Sequence, residues 1–379
     1  MEQFTSGSGS ADRSPATPAP GVRGPRVATG DVLRGARLVV IALLSLAALL
    51  PWRARPGVTI PGAGGSDQVL HTATLARLHA GDAYYTAVGE ELRRRQFPTA
   101  SPFNWRTPLF FSILSVNLQA ARIAFVALGL LVLACTVRAL ARSSVLVVLT
   151  GAIAQAGAIM VIFDPEVWVF HEVWTGCLIA VSLFAYAANR STAGAVLGLF
   201  ALFVRELAAP YALLCAVFAV RERRRREIQL WGAGFALYAV YYAWHVWAVL
   251  HHQQSAEPAH AAGWLQFGGL SFVVDTFRTN SLLHTAPVWA ASAALLVVAA
   301  GLLARSIPVR TRATAGLYLA FFAAVGQQFN WYWGWLAGFV LPLVFAHGLA
   351  TLRAIVVGAA AVGDRASVVS GSTALARRS

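Results

Sequence analysis

"GLFALFVRELAAPYALL", residues 198–214, decides how this chain is arranged, because Arg205 and Glu206 interrupt an otherwise apolar run. If 193–219 were a single span, the arginine cluster at 221–226 would lie on the opposite side from the other basic segment ends. Two short helices broken at Arg205-Glu206 return that cluster to the cytoplasmic side, where arginine accumulates in membrane proteins. The sequence therefore predicts a broken helical pair here.

The composition is that of an integral membrane protein. Hydrophobic residues make up 58% of the 379 residues and charged residues only 12%, and the apolar runs are long enough to cross a bilayer. The formal net charge of +14 would also suit a nucleic-acid-binding protein, but the arginines lie at the ends of apolar segments rather than on one continuous face. Topology explains this distribution better. The expected partner is the lipid bilayer, and no nucleic acid is expected.

The apolar pattern predicts an all-α fold, a polytopic helical membrane protein with about ten transmembrane helices. Both termini are then cytoplasmic, and the short cytoplasmic loops carry most of the arginines. Within 109–141 the first part, 109–121, either spans the membrane or lies along it, and a span follows from Arg122. The segments are 37–52, 109–141, 144–162, 172–188, 193–204, 207–219, 229–250, 286–304, 312–328 and 334–352.

The domain organisation follows from these segments. Residues 1–35, rich in Ser, Gly, Pro and Ala, are predicted to be a disordered cytoplasmic N-terminus, and 356–379 a disordered cytoplasmic C-terminus. The transmembrane domain is expected to cover 36–355. It has two long extracytoplasmic loops, 53–107 with amphipathic helices and 251–285. Polar side chains collect on this extracytoplasmic side, so we expect any active surface there.

The first extracytoplasmic loop contains "GSDQVLHTATLARLHAGDAYY", residues 65–85. Ser66 can cap a helix that begins at Asp67 and runs to about His79. The i, i+4 spacing then places Asp67 and His71 on one face. The alternative to a functional pair with His71 is that Asp67 only complements the positive helix N-terminus.

Two further features of this loop are each open to two interpretations. Gly81 suits the end of one helix and Asp82 the N-cap of the next, so capping competes with catalysis for Asp82. "FNWRTPLFF", residues 103–111, returns the chain to the membrane. There Arg106 beside Trp105 either holds a phosphate at headgroup level or acts as an ordinary interfacial anchor.

Charged residues next to apolar helices mark a second group of candidates. Glu172 follows a short loop and is predicted to line a cavity, because a charge so close to an apolar helix is costly without a wet surrounding or a partner. Arg205 and Glu206 are functional candidates for the same reason, and the alternative is a structural ion pair between them. A short stretch also offers four potential metal ligands, Asp164, Glu166, His171 and Glu172. Their spacing fits no strong metal-binding pattern, so binding of a divalent cation, Mg or Mn, stays an open alternative.

The late sequence "QQFNWYWGW", residues 327–335, adds aromatic rings beside amide side chains. Such rings either stack on a sugar or form the interfacial aromatic belt of a membrane protein. The candidate cavity residues in this stretch are Gln328, Asn330, Trp331 and Tyr332.

Taken together, these motifs resemble the GT-C superfamily of membrane glycosyltransferases, which use polyprenyl-phosphate-linked sugars. The resemblance extends from residue 37 to about residue 220, and the C-terminal third matches only in general layout. The matching features are Asp67 with His71, "LHAGDAYY" (78–85), "RTPLFF" (106–111), "HEVWTGCLIAVSLFAYA" (171–187) and "GLFALFVRELAAPYALL" (198–214).

The resemblance implies a reaction and a base. It implies transfer of a sugar from a polyprenyl-phosphate-linked donor to an acceptor hydroxyl on a glycan, glycolipid or protein, with inversion at C1, at the extracytoplasmic face of the cell membrane. Asp67 corresponds by position to the presumed general base, with Asp82 as the second candidate. Gly81 to Tyr85 is similar to the Gly-x-x-Tyr segment of the family, but the paired acidic motif of some branches is absent, which leaves the metal open.

The leaving phosphate needs positive charge, for which Arg205, Arg106 and Arg278 are the candidates. The alternatives to this enzyme are a transporter or lipid flippase, a non-catalytic membrane assembly protein, and an embedded acyl- or phosphotransferase. The absence of an internal repeat disfavours a transporter. The predicted cavity and substrate-binding residues are His71, Tyr84, Tyr85, Glu172, Glu206, Gln328, Asn330, Trp331 and Tyr332.

Overall fold

The computed structural model describes residues 66–254 and 266–355. The expected first span and both terminal segments lie outside these residues, as do parts of the two long loops. Within the described ranges the regular structure is helical, which confirms the all-α prediction. The α-helices, numbered in chain order, are α1 Asp67–His79, α2 Tyr84–Arg94, α3 Pro102–Trp105, α4 Pro108–Val116, α5 Leu118–Leu140, α6 Val145–Ile159, α7 His171–Ala187, α8 Ser191–Val204, α9 Ala209–Arg221, α10 Arg225–His252, α11 Gly269–Phe277, α12 Ser281–His284, α13 Val288–Leu302, α14 Val309–Ala324, α15 Trp335–Gly338 and α16 Leu341–Ile355.

Several of these helices are apolar enough to cross a membrane. Among the described residues three helices meet the length and hydropathy of a span: α5, α10, and α6 with its 3₁₀ extension to Phe163. The segment Phe329–Gly338, which includes α15, and helix α16 form a bent pair. Counted as one span, this pair would be a fourth candidate membrane span. Helices α7, α8 and α13 are apolar but shorter. The larger number of about ten spans remains a prediction.

The broken helical pair is present where the sequence predicts it. Helix α8 ends at Val204, Arg205 adopts extended backbone with φ −151° and ψ 122°, and a 3₁₀ turn covers Glu206–Ala208 before α9 begins. Pro210 lies in the first turn of α9, where its missing N–H costs no helical hydrogen bond. The break therefore separates two helices and leaves the Arg205 and Glu206 side chains at their junction.

Two other apolar segments are also divided. Asn117 separates α4 from α5, and its side chain accepts a hydrogen bond from Ala120 N at 2.9 Å, so that it caps α5. The long span thus begins at Leu118, a little before the predicted Arg122. The prediction of one helix over 334–352 is wrong, because α15 and α16 meet at a bend of 70°.

The loop helices confirm one predicted cap and correct another. The Ser66 side chain accepts a hydrogen bond from Val69 N and caps α1, and Gly81 ends the turn with a φ of +103° that favours glycine. Helix α2 begins later than expected, with Ala83 at its N-cap position. The prediction that Asp82 caps α2 is therefore wrong: its carboxylate lies 2.6 Å from Arg77 Nε instead.

Helix α7 lies at the centre of the core and packs against α5, α8 and α15. It approaches α15 so closely that a Cβ on Gly176 would lie 2.0 Å from the Trp335 carbonyl oxygen. Only glycine permits this distance. The contact fixes the start of α7, with His171 and Glu172, close to the aromatic 3₁₀ segment Gln328–Gly334 that precedes α15.

Candidate active site

Asp67, at the start of α1, lines a small polar pocket with residues from far along the chain. The Tyr332 hydroxyl hydrogen-bonds with the Asp67 carboxyl group and lies 3.3 Å from Asn330 Oδ1. The pocket encloses a cavity of about 20 Å³, roughly the space of one water molecule. Its lining residues are Asp67, Leu70, His71, Leu92, Phe97, Asn104, Arg106, Phe329, Asn330 and Tyr332.

Arg106 provides positive charge in this pocket, and its neighbours hold it there. Its backbone has a positive φ of 56° with an extended ψ of 160°, a sparsely populated conformation for a residue with a side chain. Tyr84 supports it, since the Tyr84 hydroxyl donates to Trp105 O at 3.0 Å and to Arg106 O at 3.3 Å. Trp105 is fully buried and donates to Thr99 O at 2.8 Å. Tyr84, predicted as a cavity residue, thus positions the arginine.

The surroundings of Asp67 favour its protonated form. Burial raises the pKa of Asp67 above its usual range, while Arg106 and the Tyr332 hydrogen bond oppose that rise. Glu172 raises the pKa further and Arg205 lowers it, which shows that both side chains lie within electrostatic reach. A carboxylate that takes up a proton more readily than usual is a better general base.

His71 lies beside Asp67 and is uncharged. Burial, Arg106 and Arg205 hold the pKa of His71 well below its usual range. Its ring packs against Phe111 at 5.4 Å and His171 at 5.5 Å between centroids. His71 therefore joins the pocket to the first turn of α7.

Glu172 and Arg205 form a buried ion pair behind the pocket. Arg205 Nε lies 2.9 Å from Glu172 Oε1, and Arg205 Nη1 also pairs with Glu206. Arg205 is 1% exposed and Glu172 is fully buried, so removing either partner would leave an uncompensated charge. Both carboxylates engage Arg205, whereas Arg106 faces the pocket cavity. Arg106 Nη1 donates to Phe103 O at 2.8 Å, while its Nε is buried without a hydrogen-bond partner among the described residues, which leaves donor capacity for an anionic ligand.

Other predicted site residues are not part of the pocket. Asp82 is exposed and paired with Arg77, and the Tyr85 hydroxyl bonds with His245 Nδ1 at 3.0 Å. Arg278 donates to three main-chain carbonyls, on Leu283, His284 and Ala286. Trp331 packs against Trp335 and His284 rather than lining the pocket. The Gln328 side chain lies outside the described atoms.

The predicted acidic cluster near α7 does not form one metal site. Asp164 Oδ1 accepts a hydrogen bond from Glu166 N at 2.9 Å, while His171 packs against Phe110 and Glu172 pairs with Arg205. Among the described residues no group of three or more His, Cys, Asp or Glu side chains is arranged to hold a metal ion. A divalent cation stays a prediction.

The pocket also contains residues that the sequence did not single out. Asn104 donates to Pro98 O at 2.6 Å and so shapes the turn before Arg106. Phe329 and Leu92 fill the pocket wall. These side chains reach the pocket through turn geometry and helix packing, which no local pattern reveals. His171 was considered only as a metal ligand, although its i, i+4 partner Thr175 is also buried and marks an inward polar face.

No family model, curated protein or solved structure matches this chain. The informative combination is a buried carboxylate, one arginine and one tyrosine hydroxyl, placed next to apolar helices.

Proposed function

We propose that this protein is a membrane glycosyltransferase that moves a sugar from a polyprenyl-phosphate-linked donor to an acceptor hydroxyl on the extracytoplasmic face. One observation carries the proposal: Asp67, Arg106 and Tyr332 share one pocket beside apolar helices. A base and a cation at such a boundary suit a donor whose tail is apolar and whose reactive group is a phosphate.

In this mechanism Asp67 is the general base. It takes the proton of the acceptor hydroxyl while the oxygen forms a bond to C1 of the donor sugar. The bond between C1 and the phosphate oxygen breaks, and the phosphate leaves with the electron pair. Attack from the face opposite the phosphate inverts C1. The raised pKa of Asp67 supports this role, since the carboxylate gains a proton readily.

Arg106 is the proposed phosphate ligand, ahead of Arg205 and Arg278. The Arg205 charge is already compensated by Glu172 and Glu206. Arg278 makes three main-chain bonds and does not line the pocket, whereas Arg106 lines it and makes one such bond, to Phe103 O. A guanidinium group stabilises the growing negative charge of the leaving phosphate. A divalent cation, if the reaction uses one, would act on the same phosphate.

The pocket is too small for a sugar. A cavity of about 20 Å³ holds roughly one water molecule, so donor binding has to widen it. Arg106 and Tyr332 lie on different segments, the loop before α4 and the 3₁₀ segment before α15. We propose that the donor headgroup enters between these two segments.

The proposed function is tested by supplying purified protein in lipid vesicles with a panel of polyprenyl-phosphoryl sugars and mixed glycolipid acceptors. We expect one donor to be consumed, with release of polyprenyl phosphate and a product of inverted anomeric configuration. Donor that crosses the vesicle membrane unchanged would instead indicate a transporter or flippase. Failure of every donor to react would contradict the glycosyltransferase.

A further inference from the structure

Three tyrosines cover the inner face of α10. Tyr238, Tyr241 and Tyr242 follow the i, i+3, i+4 spacing that places side chains on one face of a helix. The outward side of the same turns carries Leu237 and Val240, which are 63% and 70% exposed, as expected for contact with lipid. Inward polar groups on a helix apolar enough to span a membrane are functional candidates.

This tyrosine face is opposite the break between α8 and α9. The Phe203 ring packs against Tyr238 at 5.2 Å and Tyr241 at 5.5 Å between centroids. Glu206 lies within electrostatic reach of all three phenols. Glu206 also pairs with Arg205, and that arginine acts on Tyr238 and Tyr242 as well, so the ion pair lies near the tyrosine face.

The hydroxyl groups of this face are incompletely paired. Within the described residues the Tyr238 and Tyr242 hydroxyls are buried and have no hydrogen-bond partner, which is costly for a polar group. The Tyr241 oxygen accepts from Leu109 N at 2.9 Å. Phenol hydroxyls beside a carboxylate offer both donors and acceptors, and their rings offer flat apolar faces. Sugar hydroxyls and the apolar side of a sugar ring match this combination.

The tyrosine face adjoins the Asp67 pocket. The segment that carries Arg106 lies between them, because the Tyr84 hydroxyl bonds with Arg106 O and Tyr84 is within electrostatic reach of Tyr241 and Glu206. On the other side Arg205 links Glu206 to Glu172. A ligand on the tyrosine face would therefore lie against the Arg106 segment, which also lines the Asp67 pocket.

We infer that Glu206 with Tyr238, Tyr241 and Tyr242 forms the acceptor site, which binds the hydroxyl groups of an uncharged, lipid-linked carbohydrate. This inference rests on the proposed glycosyltransferase function. The charge assigns the site to acceptor rather than donor, since the Glu206 carboxylate repels a phosphate and Arg205 is already paired. The lipid-facing side of α10 favours an acceptor that arrives from the bilayer.

The test measures lipid binding by native mass spectrometry of the full chain. The neutral probe is monoglucosyl diacylglycerol, with plain diacylglycerol as its reference, and the donor-like probe is mannosyl-phosphoryl polyprenol. A double Tyr238→Phe, Tyr242→Phe variant removes two hydroxyls and keeps both rings. We expect this variant to bind the glucolipid about tenfold more weakly, because its hydrogen bonds to the sugar hydroxyls are lost. Binding of mannosyl-phosphoryl polyprenol should be unchanged.

Two variants serve as comparisons. Tyr186→Phe removes a buried hydroxyl beside Arg310, away from the tyrosine face, and should bind both probes like the wild type. Arg106→Gln should give the reverse selectivity, with weaker donor-like binding and normal glucolipid binding. The acceptor site would be overturned if the double variant kept the wild-type preference for the glucolipid over diacylglycerol. It would also be overturned if the wild type showed no such preference.

The outcomes separate this inference from the proposed function. Sugar transfer that is unimpaired in the double variant would refute the acceptor site and leave the transferase standing. Tyrosine-dependent glucolipid binding by a protein that consumes no donor would refute the transferase and leave a carbohydrate-binding site. If the double variant loses both sugar transfer and glucolipid binding, and Tyr186→Phe retains them, the result supports both the acceptor site and the transferase.

Discussion

At the residue scale, the central feature is a carboxylate in surroundings that penalise its charge. The sequence predicted the Ser66 cap and the proximity of Asp67 to His71, because both follow from local capping and helical spacing. The choice of Asp67 as the base came from the family resemblance. The sequence could not predict that Tyr332 would bond with Asp67, since that contact joins distant parts of the chain. For Asp82 the local prediction was wrong. It was predicted to cap α2, but its carboxylate accepts a hydrogen bond from Arg77, five residues earlier.

The pKa of Asp67 predicts a pH dependence for activity and stability. Because burial raises this pKa, transfer should decline on acidification at a higher pH than for an ordinary aspartate. The same shift means that the folded state binds the proton more tightly than the unfolded state. Its stabilising effect is complete below the unfolded pKa and is lost as pH rises through the folded pKa.

We therefore expect Asp67→Asn to be at least as stable as the wild type at neutral pH, although it removes the proposed base. Thermal unfolding of both proteins across acidic and neutral pH checks this, with Arg106 and Glu172 unchanged in each. A clear loss of stability at neutral pH in Asp67→Asn would show that the carboxylate is a structural ion partner instead.

At the element scale, the breaks in the helices shape the site. The Arg205-Glu206 break was predicted from the arginine pattern, and it places those two side chains between α7 and α10. The bend after α15 was not predicted, although Gly338 at the end of α15 and Pro342 in the first turn of α16 are residues that commonly end and begin helices. The i, i+3, i+4 spacing of the tyrosines on α10 is present in the sequence. It was not singled out, because the long apolar run around it was interpreted only as a membrane span.

The close contact between α7 and α15 gives an element-scale prediction. In Gly176→Ala the new methyl group would meet the Trp335 carbonyl oxygen at 2.0 Å, so the helices must separate, at a cost of about 1–3 kcal/mol. Gly232→Ala is the matched control, because a Cβ there meets no atom within 4 Å. The free energy of unfolding, measured by SDS titration in micelles, should fall for Gly176→Ala only. Equal values for the two variants would contradict the packing.

At the scale of the whole molecule, the order and approximate limits of most helices followed from hydrophobicity and charge. The number of spans did not, because short apolar helices such as α8 and α13 do not show by length whether they cross a bilayer. Helix packing brought Asp67, Arg106 and Tyr332 into one pocket. Local patterns named these residues without indicating which of them would meet.

The proposed topology predicts opposite sides for the Asp67 loop and the arginine cluster after α9. A membrane-impermeant maleimide should label Ala80→Cys in intact cells and Arg226→Cys only in inverted vesicles, since arginine-rich ends stay cytoplasmic. Wild-type labelling through the native cysteines provides the blank. Labelling of both variants from the same side would contradict the hairpin arrangement of α8 and α9.

The role proposed for Asp67, the general base of a sugar-transfer reaction, is tested by comparing the transfer rates of Asp67→Asn and Asp82→Asn in the same vesicles. Both changes remove one carboxylate from the same loop, but only Asp67 lines the pocket. We expect Asp67→Asn to be about 10²–10⁴-fold slower than the wild type, the usual contribution of a general base, and Asp82→Asn to stay within about threefold. Wild-type transfer by Asp67→Asn would contradict this role, most clearly if Asp82→Asn were inactive.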